Sequence, residues 1–142
     1  MEEMIKLLSA LKGHFTEEEQ GLLLKASALE DEIKTETFKR VSPQFLAKMT
    51  EISSAKMLEL MGYIEDKIDD MGEMELIAET MKFVYGIIDD FKQIDGYDEY
   101  ENNQIELYAS YGLDYKKNDE LIRKMFELFE TEDGIKALKE LG

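Results

Sequence analysis

The stretch SPQFLAKMTEISSAKMLELMGYIEDKIDDMG, Ser42 to Gly72, decides the fold. Ser42 can cap a helix, and Pro43 fits the first turn, where its missing N–H costs nothing. Leu46, Met49, Met57, Leu60, Ile64, Ile68 and Met71 then recur at steps of three and four as one long apolar face, interrupted by Ser53 and ending near Gly72. Strict alternation over a strand's length is hard to find anywhere in the chain, and proline occurs once. The reading is therefore all-α.

The same spacing extends in both directions. Toward the N-terminus, Met4, Leu7, Leu8 and Leu11 form a short stripe stopped by Gly13. Thr16 and Glu19 of TEEE then make a capping box that opens a helix, which Leu22, Ala26, Leu29 and Ile33 continue toward Val41. Toward the C-terminus, a helix from Met74 to Ile94 carries Met74, Ile77, Met81, Val84, Ile88 and Phe91 on one side and Leu76, Phe83, Ile87 and Ile94 on another. Apolar residues cover roughly half its circumference, so it is predicted to be the most buried helix. Ile105 to Tyr111 reads as a short helix that Gly112 can end in a left-handed conformation. Asn118 can cap a helix with Leu121, Ile122, Met125 and Phe129 facing inward. Thr131 can cap a last one holding Ile135, Leu138 and Leu141. Connections are short, no composition shift marks a linker, and no internal repeat occurs. The expectation is a single domain, residues 1–142, forming a compact bundle of about six or seven helices.

Composition narrows the function. The 142 residues are 44% hydrophobic and 35% charged, enough for a packed core without staples. There is no cysteine, which removes disulfides, thiolate catalysis and thiolate metal sites together, and the single histidine, His14, excludes a multi-histidine metal site. MEEMIKLLSALKG has no basic leader, and no apolar run approaches the roughly 20 residues of a spanning helix. A cytoplasmic protein is expected. A formal charge of -16 works against nucleic acid and anionic membrane surfaces, both polyanions. The natural complement is a protein with a basic surface.

The charge is unevenly spread: residues 65–106 hold 14 acids against Lys67, Lys82 and Lys92. Asp66, Asp69, Asp70 and Glu73 recur at i, i+3, i+4 and i+7, one face of a continuous helix. A solvated amphipathic face accounts for such a ridge, and so does imitation of a polyanion. Seven acids between Glu65 and Glu79 would give about one charge per 3 Å of helix, against one per about 3.4 Å along a DNA strand. Close behind comes DGYDEYENN, Asp95 to Asn103, which reads as a polar connector. Five of seven tyrosines, Tyr97, Tyr100, Tyr108, Tyr111 and Tyr115, crowd this region. The last three suit a core edge at helical spacing. Tyr97 and Tyr100, beside Asp95, Asp98, Glu99 and Glu101, suit the lysines and arginines of a partner, with carboxylates for the charge and rings for the stems.

Other chemistries fit poorly. Asp95, Glu99, Glu101 and Glu106 match an EF-hand count, yet its obligatory glycine position is Tyr100. All-helical nucleotide pyrophosphohydrolases resemble this chain in class. Their paired carboxylate pattern has a counterpart mainly in Glu127, Glu130 and Asp133, without a mate on another helix. There is no Gly-x-Ser-x-Gly and no phosphate-cradling glycine loop. His14 reads as a turn residue.

The expectation is thus a non-catalytic acidic protein without cofactor or metal, acting as an inhibitor or regulator of a protein whose basic surface binds nucleic acid. Its contacts would be Asp66, Asp69, Asp70, Glu73, Asp95, Tyr97, Asp98, Glu99, Tyr100 and Glu101. An assembly factor gripping a partner in an apolar groove at Met49, Met57 and Met61 is a second reading. A Mg²⁺-dependent hydrolase using Asp69 or Asp70 is a third. Homodimerisation through an apolar face is compatible with all three.

Overall fold

The computed structural model describes residues 2–140, apart from the side chains of Met74 and Ala78. Among the described residues the chain is all-α. It forms eight α-helices: α1 (Glu2–Ala10), α2 (Glu17–Ala28), α3 (Glu30–Arg40), α4 (Pro43–Lys67), α5 (Glu73–Phe91), α6 (Tyr97–Ser110), α7 (Tyr115–Leu128) and α8 (Glu132–Lys139), with a 3₁₀ turn at Lys12–His14. The count slightly exceeds the expectation because the stripe from Thr16 to Val41 bends at Leu29, where φ is -99° and ψ is 3°. Leu141 lies outside the described residues.

The local signals act where the sequence puts them. Thr16 accepts from the Glu19 N–H at 3.1 Å, and the Glu19 carboxylate accepts from the Thr16 N–H at 2.9 Å. Ser42 accepts from the Phe45 N–H at 3.1 Å with Pro43 in the first turn. Thr131 accepts from the Gly134 N–H. Gly112 follows α6 with φ +74°, the left-handed geometry that a side chain resists. One cap moves: Asp114, not Asn118, caps α7, accepting from the Lys117 N–H at 3.1 Å. The extra turn brings Tyr115 edge-on to Tyr108, with centroids 5.0 Å apart, and Asn118 becomes a buried residue within the helix.

Contacts divide the chain into two compact units, residues 1–40 with 101–142 and residues 41–100. In the first, α1 packs on α2 and α8, α7 on α2 and α8, and α2 on α3. Leu8, Leu11, Leu23, Leu121, Met125 and Phe129 are buried there, and a cluster of Ile33, Leu107 and Leu113 is flanked by Leu22, Ala26, Leu29, Tyr108 and Tyr111. Packing is tight enough that a Cβ on Gly134 would stand 1.7 Å from the Leu128 carbonyl oxygen. A polar bond joins two helices beside this core, Thr37 donating to the Gln104 side-chain oxygen at 2.9 Å.

The second unit is a helical hairpin, α4 against α5, with the first residues of α6. Its antiparallel register shows in two pairings, Tyr63 with Phe83 at 5.9 Å and Lys56 with Asp90 at 3.5 Å, and near the start of α4 Phe45 stacks on Tyr100 of α6 at 4.8 Å. Among its described residues only Phe45, Leu60 and Ile94 are buried apolar side chains. The expectation that α5 is the most buried helix is not met: no described residue of α5 is fully buried. Its described apolar residues are all partly covered and none is enclosed, because full enclosure needs closely packed neighbours all round and α4 packs along one side.

Candidate functional site

The acidic ridge does not lie on one continuous helix. α4 ends at Lys67, so Asp66 sits in its last turn, Asp69 and Asp70 in the turn that follows, and Glu73 opens α5. All four are exposed and cluster around the hairpin tip instead of forming a straight line of charge. The carbonyl groups at the end of α4 carry the negative pole of its dipole, so Asp66, Asp69 and Asp70 oppose it, whereas Glu73 complements the positive pole of α5. Among the described residues, Asp66, Asp69 and Asp70 form no ion pair. The dipole of α4 does not favour these three carboxylates, so the end of that helix does not explain them.

The stretch from Asp95 to Asn103 is not a connector beyond its first two residues. Gly96, with φ +93°, turns the chain, and α6 begins at Tyr97. Asp98 and Glu99 then occupy the first turn of a helix, where carboxylates are favourable on dipole grounds alone. Tyr97 and Tyr100 are half-buried, with rings 6.0 Å apart and Tyr100 lying on Phe45, so they serve as packing residues of the hairpin base. Asp95, Asp98 and Glu99 are exposed and Glu101 is half-buried. The two acidic groups do not form one patch. Asp66 stands 21 residues along α4 from Phe45, on which Tyr100 stacks, or about 30 Å at the helical rise.

Beside the hairpin base lies an open cavity of about 640 Å³, whose lining includes Phe45, Ile52 and Ile94 with Glu51, Asp90 and Asp95. Lys48 pairs with Glu51 at 3.4 Å and Lys56 with Asp90 at 3.5 Å, which leaves Asp95 as the carboxylate of this lining without a cation among the described residues.

Sequence reasoning names Met57 and Met61 for an apolar groove but not Leu58 or Ile68, which extend the same exposed apolar surface. Met57, Leu58, Met61 and Ile68 are 53%, 70%, 54% and 52% exposed. Met57 and Ile68 stand on the long apolar face of α4, yet α5 covers only the side centred near Leu60. A signal existed: at 100° per residue Leu58 and Met61 fall outside the Leu46–Met71 stripe, so the apolar surface of α4 is wider than one neighbour can cover. Met49, of the same assembly reading, is half-buried.

No group of three or more acids or histidines among the described residues is placed to hold a metal ion. His14 ends the 3₁₀ turn and meets Asp133 at 3.3 Å, an exposed contact that joins the start of the chain to α8. No described helix is long and apolar enough to cross a membrane. No protein-family model matches the chain, and neither a curated protein nor a solved structure matches it.

Proposed function

We propose that this protein is a non-catalytic binding protein whose hairpin tip engages a basic surface of a partner protein, in competition with the nucleic acid that surface ordinarily holds. One observation supports this reading above others. Asp66, in the last turn of α4, and Asp69 and Asp70, in the turn after it, crowd the negative end of that helix, exposed and without cations among the described residues, where its dipole does not favour them. Carboxylates so placed resemble the charge density of a polyanion while lacking its regular line. They supply long-range attraction to lysine and arginine and repel nucleic acid itself. Asp98 and Glu99 have a local structural role, so Asp66, Asp69, Asp70 and, next to them, Glu73 form the primary contact. Asp95, Tyr97, Tyr100 and Glu101 rank below them.

The test is capture from the source lysate with the tagged chain as bait, eluted in rising salt, beside an Asp66→Asn/Asp69→Asn/Asp70→Asn bait. Expected is a basic nucleic-acid-binding protein that leaves early in the salt series, is displaced by added duplex DNA, and is lost by the triple variant. Capture of the same proteins by both baits, or of no basic protein, refutes the reading. The exposed methionines of α4 favour a contribution from apolar contact as well, since a purely electrostatic surface has no use for them.

A further inference from the structure

The proposed function leaves unassigned the exposed apolar strip on α4, and a soluble protein seldom leaves four large apolar side chains more than half exposed on three turns of one helix. At 100° per residue Met57, Ile68 and Met61 lie within about 40° of one another, with Glu65 about 40° beyond Met61 and Leu58 and Glu51 a little further round. Ile68 keeps the helical register, its N–H donating to the Ile64 carbonyl at 2.8 Å. From Met57 to Ile68 the strip runs about 16 Å. Asp69 and Asp70 follow its far end, and its outer side carries Glu51 and Glu65, both exposed. Glu51 shares an exposed pair with Lys48, whereas Glu65 has no cation among the described residues.

We infer that this strip is the seat of an amphipathic helix of the partner, about three turns long, with an apolar seam flanked by lysine or arginine. Charge complementarity selects this occupant. A helix resting on Met57, Met61 and Ile68 has Glu65 and Glu51 along one side and Asp69 and Asp70 just beyond its end, so basic flanks are attracted and acidic ones repelled. A second copy of this chain is disfavoured for the same reason. Residues 41–100 hold fourteen acids against five bases, and a two-fold pairing on this strip would face those carboxylates with their own images. Methionine suits the role, since its flexible, polarizable side chain adapts to an incoming apolar seam. The inference rests on the proposed reading of the hairpin as a surface for basic partners and specifies what lies between the charges.

The experiment uses three synthetic 18-residue peptides: an amphipathic leucine–lysine helix, a scrambled sequence of the same composition, and a leucine–glutamate helix. Binding to the full chain is read by fluorescence anisotropy at about 150 mM salt, near a Debye length of 8 Å. The amphipathic basic helix is expected to bind at least about tenfold more tightly than the scrambled peptide, a difference of about 1.4 kcal/mol, and the acidic helix not to bind. Met57→Ser/Met61→Ser should remove that advantage while leaving the scrambled peptide's affinity unchanged. As a readout that needs no variant, the methyl resonances of Met57 and Met61 should shift on titration while that of buried Met125 stays. Equal binding of the two basic peptides, unmoved Met57 and Met61 methyls, or a dimer in sedimentation that Met57→Ser/Met61→Ser dissolves, would each overturn the inference. Equal binding that the Asp66, Asp69 and Asp70 variant abolishes sinks this inference and leaves the proposed function standing. Absence of binding by either basic peptide sinks both.

Discussion

The two units use similar amino acids to different ends. Residues 1–40 with 101–142 hold thirteen of the sixteen buried apolar side chains among the described residues, and the hairpin unit, residues 41–100, holds three. Three of the six exposed large apolar residues belong to α4 of the hairpin, and a fourth, Ile68, is the residue that ends it. The difference follows from the number of neighbours rather than from composition. In the first unit α2 touches α1, α3 and α7, so each apolar face meets another. Within the hairpin α4 and α5 have each other as their one extensive neighbour, which encloses few residues of either. An apolar residue is buried only when a second surface is available to bury it.

The sharpest way to break this comparison is to truncate matched side chains in the two units. Leu23 is 1% exposed, and Leu23→Ala should lower unfolding free energy by about 3 kcal/mol through lost transfer energy and a residual cavity. Met61 is 54% exposed, and Met61→Ala should change it by less than about 0.5 kcal/mol. Both are read by urea denaturation. Comparable losses would mean that α4 is covered in solution. Hydrogen exchange sharpens the point without mutation. Amides of α5 should open at lower free energy than those of α2 and α7, because local opening of the hairpin exposes little that was buried.

What was legible in the sequence follows the same division. Caps are local, decided by residues three apart, and so Thr16 with Glu19, Ser42 with Pro43, Thr131, and the left-handed Gly112 all stand where the chain predicts them. Asn118 was misread because Asp114, four residues earlier, caps equally well and adds the turn that seats Tyr115 on Tyr108. The burial of α5 was illegible because a wheel records which residues could be buried and nothing about whether a neighbour is present. Tyr100 was read as a contact residue because its partner Phe45 lies 55 positions away. The acidic ridge was legible as composition but not as shape, since whether α4 stops at Lys67 or runs on through Asp70 depends on where the chain folds back.

Charge gives a smaller effect with an unusual sign. Removing three carboxylates from the end of α4 should stabilise the protein, since each opposes the helix dipole and its neighbours there. Asp66→Asn/Asp69→Asn/Asp70→Asn should raise unfolding free energy by about 1 kcal/mol in total at low salt. The gain should shrink as salt screens the exposed charges. A destabilised variant would show that these carboxylates support the hairpin, and would remove the main reason for giving them a binding role.

The smallest effect belongs to the first unit and tests whether its caps act as drawn. The Thr16 backbone N–H donates to the Glu19 carboxylate and holds its pKa below the ordinary value of 4.5, with Lys124 and Lys117 acting in the same direction and burial opposing them. A carboxyl group whose pKa falls on folding contributes stability above its unfolded pKa and loses that contribution as pH falls through the folded one. Glu19 should therefore help the fold at neutral pH and cease to do so in acid, below about pH 4.5. Thr16→Ala removes the hydroxyl that accepts from the Glu19 N–H and should cost about 1 kcal/mol. Most of that loss should persist in acid, because a hydroxyl acceptor does not titrate. Glu19→Gln keeps hydrogen-bonding capacity and loses only the charge, so its melting temperature should fall below that of the parent chain at pH 7 and converge with it near pH 3. A gap between the two melting curves that stayed constant across this range would place the role of Glu19 in packing instead of charge.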